Sequence, residues 1–286
     1  MHFPCAEECS TGGFLNHVSA IKSLILTVRA SERMHALVIE GPPGWGKTTT
    51  VDEALIEAKV TGVHLGSYST ALHLFNFLCQ NPQAVVVIDD CAGLFGDQSA
   101  LAILKSATWG HARRRKICWG STSGKAAADE FFFEGKLIII CNSFPSTPDA
   151  VAVKSRSFPY KIDIDSVMAK KLLRQAAENT VWYPNIERAR EVAMYLSDKI
   201  CASSLRQISY RTLQMGYELA QHNSEQWRDL LERMVSYAPE DPQKVVRQLS
   251  QRGLRVKEQA RVFEESTGLK RRTFFKYRRA LCLSKG

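Results

Sequence analysis

The chain has 286 residues, 45% of them hydrophobic and 23% charged, with a formal net charge of +9. That apolar content is ordinary for a globular protein and excludes a disordered polyelectrolyte, while the length allows two or three domains. Its apolar runs fall far short of the roughly 20 residues that cross a bilayer, so no membrane-spanning helix is expected.

The charge is unevenly placed. From Arg252 to Gly286 there are eleven Lys and Arg against three Asp and Glu, so nearly all of the excess sits in the last stretch. A basic end on a near-neutral body predicts a local attraction to polyanions, most simply nucleic acid. The eight cysteines (Cys5, Cys9, Cys79, Cys91, Cys118, Cys141, Cys201, Cys282) are scattered without a CxxC pair. Several lie inside apolar runs, where a reduced thiol packs as a small hydrophobe. Cys5 and Cys9 are half of a metal site with nothing to complete it. Met1 to Ser10 lacks the basic start and apolar core of a signal peptide, and the expected setting is reducing and cytoplasmic.

After an irregular lead-in, Leu15, Val18, Ile21, Leu24, Ile25 and Val28 recur at helical spacing and predict an amphipathic helix over Phe14 to Ala30. Ala36-Leu37-Val38-Ile39 then reads as a buried strand running into Gly41-Pro42-Pro43-Gly44-Trp45-Gly46-Lys47-Thr48, which fits G-x-x-x-x-G-K-[ST]. In such a loop backbone N–H groups close around a phosphate chain, Lys47 reaches the outer phosphates and Thr48 ligates Mg²⁺. A helix starting at Thr49 leaves the loop with its positive end toward the same phosphates.

Val60 to Leu65 predicts a short strand and Thr70 to Gln80 a helix. Ala84 to Asp90 is a dry strand ending in two carboxylates, the Walker B pattern in form. Asp89 is placed to hold Mg²⁺ and Asp90 to orient or deprotonate the attacking water. A helix over Gln98 to Thr108 leads to the cations Arg113, Arg114, Arg115 and Lys116, then an apparent strand, Ile117 to Gly120. Two readings of the cations stand: phosphate contacts in a channel, or a solvated basic loop. A second dry strand, Lys136 to Cys141, ends in Asn142, an amide suitably placed to hydrogen-bond both a water and a γ-phosphate.

The order of GPPGWGKT, VVVIDD, IIICNS and Lys154-Ser155-Arg156-Ser157 resembles the core of the AAA+ ATPases, over roughly Leu37 to Ile164. The resemblance implies an α/β, three-layer P-loop NTPase core with a parallel sheet, a helical lid, and ATP with Mg²⁺ as ligands. Asn142 would match sensor 1. Arg156 would match the arginine finger, which a neighbouring subunit donates to stabilise transition-state charge, although a cation ending a helix on its dipole is the plainer alternative. A finger acting in trans implies a homo-oligomeric ring or open helical assembly. The second acid of Walker B is usually glutamate in that family and is Asp90 here, shorter by one methylene. More finely, the tract around Asp89-Asp90-Cys91 and Phe131 to Lys136 resembles ATPases of bacteriophages and mobile elements that serve DNA replication or recombination.

Helices are predicted over Val167 to Glu178, Ile186 to Lys199 and Ser204 to Ala220, the segment that would be the lid. Arg206 is the candidate for sensor 2, with Arg211 close by. The expected domains are a core at 1–164, a lid at 165–222 and a basic helical module at 223–286. In that module Lys257 to Ser266, a turn at Thr267-Gly268-Leu269 and a second helix over Lys270 to Leu283 have the arrangement of a helix-turn-helix. The second helix carries Lys270, Arg271, Arg272, Lys276, Arg278 and Arg279 as candidate DNA contacts, with docking on an acidic protein surface as the other reading.

The expected function is thus an oligomeric ATPase acting on DNA or a DNA-bound complex, with a helicase or recombinase as a possible protein partner. One alternative is an ATP-gated DNA-binding switch with slow hydrolysis, which the short Asp90 favours. A protein-remodelling chaperone is the other, and the basic loop at Arg113 to Lys116 fits it poorly.

Overall fold

The computed structural model describes residues 17–66, 68–91, 93–110, 113–120, 126–200, 207–223, 225–236, 242–251, 254–267 and 269–281. The chain divides into two compact units, Met1–Ile164 and Asp165–Gly286.

The first unit is built on a five-stranded parallel sheet of β1 (Ala36–Glu40), β2 (Gly62–Leu65), β3 (Val85–Asp89), β6 (Lys136–Cys141) and β7 (Phe158–Lys161). Its strand order is β2-β3-β6-β1-β7. The three inner strands read as unbroken apolar runs because both faces are covered. Alternate residues of each point to opposite layers. Val38, Val86, Ile88, Leu137 and Ile139 pack with α3 (Ala71–Gln80), α4 (Gln98–Thr108) and α5 (Pro148–Ser155). Leu37, Ile39, Val87, Ile138 and Ile140 pack with α1 (His17–Ala30) and α2 (Lys47–Glu57) on the other side.

A separate antiparallel hairpin, β4 (Arg115–Cys118) with β5 (Glu130–Phe133), packs on the α3–α4 layer through Ile117, Phe131 and Phe133. Phe75 of α3 meets Phe131 edge to face at 5.1 Å between ring centroids. The first strand of the hairpin begins two residues earlier than the sequence predicts, and the second was not anticipated.

In the second unit α6 (Ser166–Ala177) and α7 (Ile186–Lys199) start on side-chain caps, and α8 (Tyr210–His222) follows them. Asp165 accepts from the Met168 amide and Asn185 from the Arg188 amide. α9 (Trp227–Ser236) joins these helices: Trp227 stacks edge-on against Tyr195, and Glu232 accepts from Tyr195 and Lys199. Residues 227–236, placed in the C-terminal module on sequence, therefore share packing with α7. The last three helices, α10 (Pro242–Gln251), α11 (Val256–Thr267) and α12 (Arg271–Ala280), enclose a small core of their own of Val245, Val246, Leu249, Ala260, Phe263 and Phe274. Among the described residues no helix is long and apolar enough to cross a membrane.

Candidate nucleotide site

Parallel register brings the site together. Asp89 lies level with Ile140 and Glu40 level with Cys141, so the P-loop, Asp90 and Asn142 all leave the sheet at its carboxyl edge. Ligands bind at this edge in open α/β sheets. Backbone bonds lock the exits: Gly41 N–H donates to Cys141 O at 3.2 Å, and Asp90 N–H to Ile140 O at 3.1 Å.

The loop needs its glycines. Gly44 and Gly46 hold φ of 79° and 75°, the left-handed region that side chains resist. A Cβ on Gly41 would stand 2.7 Å from the Ile162 Cβ. Lys47, at the start of α2 and buried, donates to Gly41 O at 2.8 Å, Pro42 O at 2.9 Å and Asn142 Oδ1 at 2.9 Å. Thr48 Oγ1 donates to Asp89 Oδ2 at 2.7 Å. Thus Lys47, Thr48, Asp89 and Asn142, drawn from three elements, meet at the N-terminus of one helix. An ammonium and open helix amides suit a polyphosphate, and a hydroxyl beside a carboxylate suits Mg²⁺, a hard cation that prefers oxygen.

Pro43 and Thr49 are exposed, whereas the Trp45 side chain is buried and contributes to the core rather than lining the loop. Its carbonyl is held by His17 of α1, with Nε2 at 3.3 Å. A carbonyl can only accept, so Nε2 carries the proton; burial pushes the His17 pKa down and keeps the ring neutral. Neither His17 nor Glu40, which accepts from Lys154 at 2.7 Å beside the loop, was foreseen. His17 has no motif around it, and the partner of Glu40 lies 114 positions away in sequence.

Asp90 is exposed and has φ of 51°. Aspartate is among the few residues that enter this region, and the turn re-aims the second acid relative to a strand continuation. Cys91, next in sequence, is buried and donates to Gly66 O at 2.9 Å, tying β3 to β2. Arg156 is the C-cap of α5, ahead of β7. Phe158 lies level with Leu37 and Lys161 with Glu40, so Arg156 stands at the amino edge of the sheet, opposite the P-loop. The two are roughly 15 Å apart along the strands, at about 3.3 Å per residue, beyond the reach of one side chain. Arg206 lies outside the described residues.

The four cations from Arg113 to Lys116 are not alike in the structure. Arg115 is buried, donates to Arg113 O and Gly135 O, and lies over the Phe133 ring at 5.1 Å. Burial lowers its pKa to about 10. It is a structural cation, because the alternation that exposes Lys116 turns Arg115 inward. Arg114 pairs with Glu134 at 3.2 Å and Lys116 with Glu130 at 2.6 Å, which leaves Arg113 exposed beside them. Lys270, the N-cap of α12, and Arg271, Arg272, Lys276 and Arg279 on that helix are exposed, while Arg278 turns inward and donates to Gln259 Oε1 at 2.9 Å.

No protein-family model matches the chain. A curated relative, the uncharacterized 36.7 kDa protein in the nrdC-mobD intergenic region of Enterobacteria phage T4, is 30% identical over 119 residues. That match covers 38% of this chain and 36% of the relative, so the chain spans about a third of that protein's length. Among solved structures, the Holliday junction branch migration motor RuvB of Thermotoga maritima is 15% identical, with a TM-score of 0.52 over 93% of this chain and 87% of that one. A point mutant of the same protein aligns at a TM-score of 0.53 with the same coverage. With the strand order, the P-loop between β1 and α2 and the helical second unit, this likeness makes the fold that of the AAA+ ATPases.

Proposed function

We propose that the chain hydrolyses ATP as a homo-oligomer, in replication or recombination, and uses the nucleotide cycle to load, move or remodel a complex on DNA. The observation that carries the ATPase reading is the meeting of Lys47 with Asn142 and of Thr48 with Asp89 at the head of α2. Oligomeric action is supported by Arg156, which lies at the sheet edge opposite the P-loop of its own chain. A second copy could bring that guanidinium to the phosphates.

In this reading the N–H groups of residues 44–49 and the Lys47 ammonium bind the phosphate chain of ATP, exchanging the carbonyls that Lys47 now holds for phosphate oxygens. Asn142 holds the attacking water, and Asp90 takes its proton as the bond from water oxygen to the γ-phosphorus forms and the bond to the bridging oxygen breaks. Arg156 of a neighbouring copy stabilises the charge that develops. Bound Mg²⁺, for which Thr48 and Asp89 are the holders, supplies positive charge to the outer phosphates. Arg206 is retained as a proposed sensor of nucleotide in the lid.

DNA is the proposed polymer because α12 exposes Arg272, Lys276 and Arg279 along one stripe, and because a structural relative is described as a Holliday junction motor. The phage T4 relative fits a mobile-element setting. The test is ATP turnover with and without DNA, for the wild type and Arg156→Ala. Turnover that DNA stimulates and the variant loses supports the motor or loader. A second reading, an ATP-gated switch that recruits a partner, is favoured by Asp90, short and exposed at the end of β3. Negligible turnover with ATP-dependent assembly intact would select it.

A further inference from the structure

Trp109 closes α4 as its C-cap, with its amide bonded to Lys105 O at 3.1 Å, and more than half of it (57%) is exposed. Its indole puts a large aromatic face, with the negative potential that attracts cations, at the end of the helix. The Arg156 guanidinium lies over that ring, with Cζ 4.9 Å from the centroid. The two helices that carry the pair are pinned together by Lys105 and Asp149, 2.6 Å apart.

Lys154 shows what a cation here does when its role is internal. Two residues before Arg156 on α5, it reaches Glu40 at 2.7 Å and is spent on a carboxylate. Among the described residues Arg156 has no carboxylate partner, and its only described side-chain contact is an aromatic face. A carboxylate would consume the N–H donors and cancel the charge. An indole holds the guanidinium by its quadrupole and leaves the five donors at the rim for planar oxygen ligands. It also narrows the rotamers of a long side chain before any phosphate arrives, which lowers the ordering cost of engagement.

We propose that Trp109 is a positioning residue for Arg156: it presents the guanidinium, uncompensated and pre-aimed, to the ATP phosphates of a second copy of this chain. The inference rests on the reading of Arg156 as a group that acts in trans. Trp109 therefore belongs to the surface that meets the neighbour's nucleotide site.

The experiment measures ATP turnover by the full chain, at saturating ATP, with DNA present and at protein concentrations where specific activity no longer rises. Trp109→Ala should lower kcat by about three- to tenfold, the range a cation–π contact represents, with KM for ATP unchanged. Trp109→Phe, which keeps a ring face, should recover most of the loss. Trp109→Ala subunits mixed with Lys47→Ala subunits should regain activity, because the latter bind ATP poorly yet carry an intact Trp109 and Arg156. Wild-type kcat in Trp109→Ala, or a loss that mixing fails to restore, overturns the proposal and leaves the finger standing if Arg156→Ala is dead. Full turnover by Arg156→Ala instead overturns the trans reading itself, and the Trp109 proposal with it.

Discussion

At Asp90 the backbone sits at φ 51°, where most side chains add about 1 kcal/mol or more of strain and aspartate or asparagine adds little. Asp90→Asn should therefore keep the melting temperature within about 2 °C and keep ATP binding, while turnover falls about 100-fold or more if Asp90 is the base proposed above. Asp90→Glu gives the acid the length usual in AAA+ ATPases at the cost of that strain. Faster turnover in this variant would identify the short acid as a brake on hydrolysis, and slower turnover would show the turn and the aspartate to be matched. His35 is fully buried, its Nδ1 accepting from Lys136 at 3.2 Å. Burial, with Arg115 and Lys136 nearby, pushes its pKa down from 6.5 to about 4. The folded state then binds fewer protons than the unfolded one in this window, so stability is full above about pH 6.5 and is lost as pH falls toward 4. The loss by pH 5 should be about 2 kcal/mol in denaturant titrations, and His35→Gln should remove it. An unchanged pH dependence in that variant would assign the acid sensitivity elsewhere.

At the scale of elements, the hairpin separates two kinds of cation. Arg115→Ala would leave the buried Gly135 carbonyl without its guanidinium partner and open a cavity beside Phe133, costing about 3 kcal/mol or more. Arg114→Ala and Lys116→Ala break exposed pairs and should each change stability by less than about 1 kcal/mol. Equal effects for all three would contradict the burial pattern. The same hairpin marks where the sequence stops being legible. The sheet strands stood out because three of them are dry on both faces, and the P-loop and Walker B residues because their chemistry demands fixed spacing. Nothing comparable marks β4. An inward-facing arginine occupies a position where alternation calls for an apolar residue, and its partner strand lies across an intervening segment. The stacking of Arg156 on Trp109 was hidden for a similar reason: it joins the ends of two helices whose neighbourhood only the tertiary packing creates.

At the scale of the molecule, the last three helices have a small core of their own within the second compact unit, and that decides how the basic end can be tested. Cutting the chain after Gln251 would strip α11 and α12 from α10 and bare Val245, Val246 and Leu249, so weakened DNA affinity would be confounded with aggregation. Ending the chain at Ser236, after α9, keeps the packing of Trp227 on Tyr195 and removes the last three helices together. A sharper test leaves the module folded. Arg272, Lys276 and Arg279 are exposed, whereas Phe274 on the same helix is buried and packs against Phe263 at 5.5 Å between centroids. Changing the three cations to Gln should therefore leave melting unaltered. If they meet phosphates, DNA affinity falls, and the slope of its logarithm against log salt becomes shallower by roughly 0.9 for each phosphate no longer neutralised. ATP binding should not change, because the P-loop lies in the other compact unit. An unaltered salt slope, with the Ser236-terminated chain still binding DNA, would move the DNA surface away from this helix and leave its charge for an acidic protein partner.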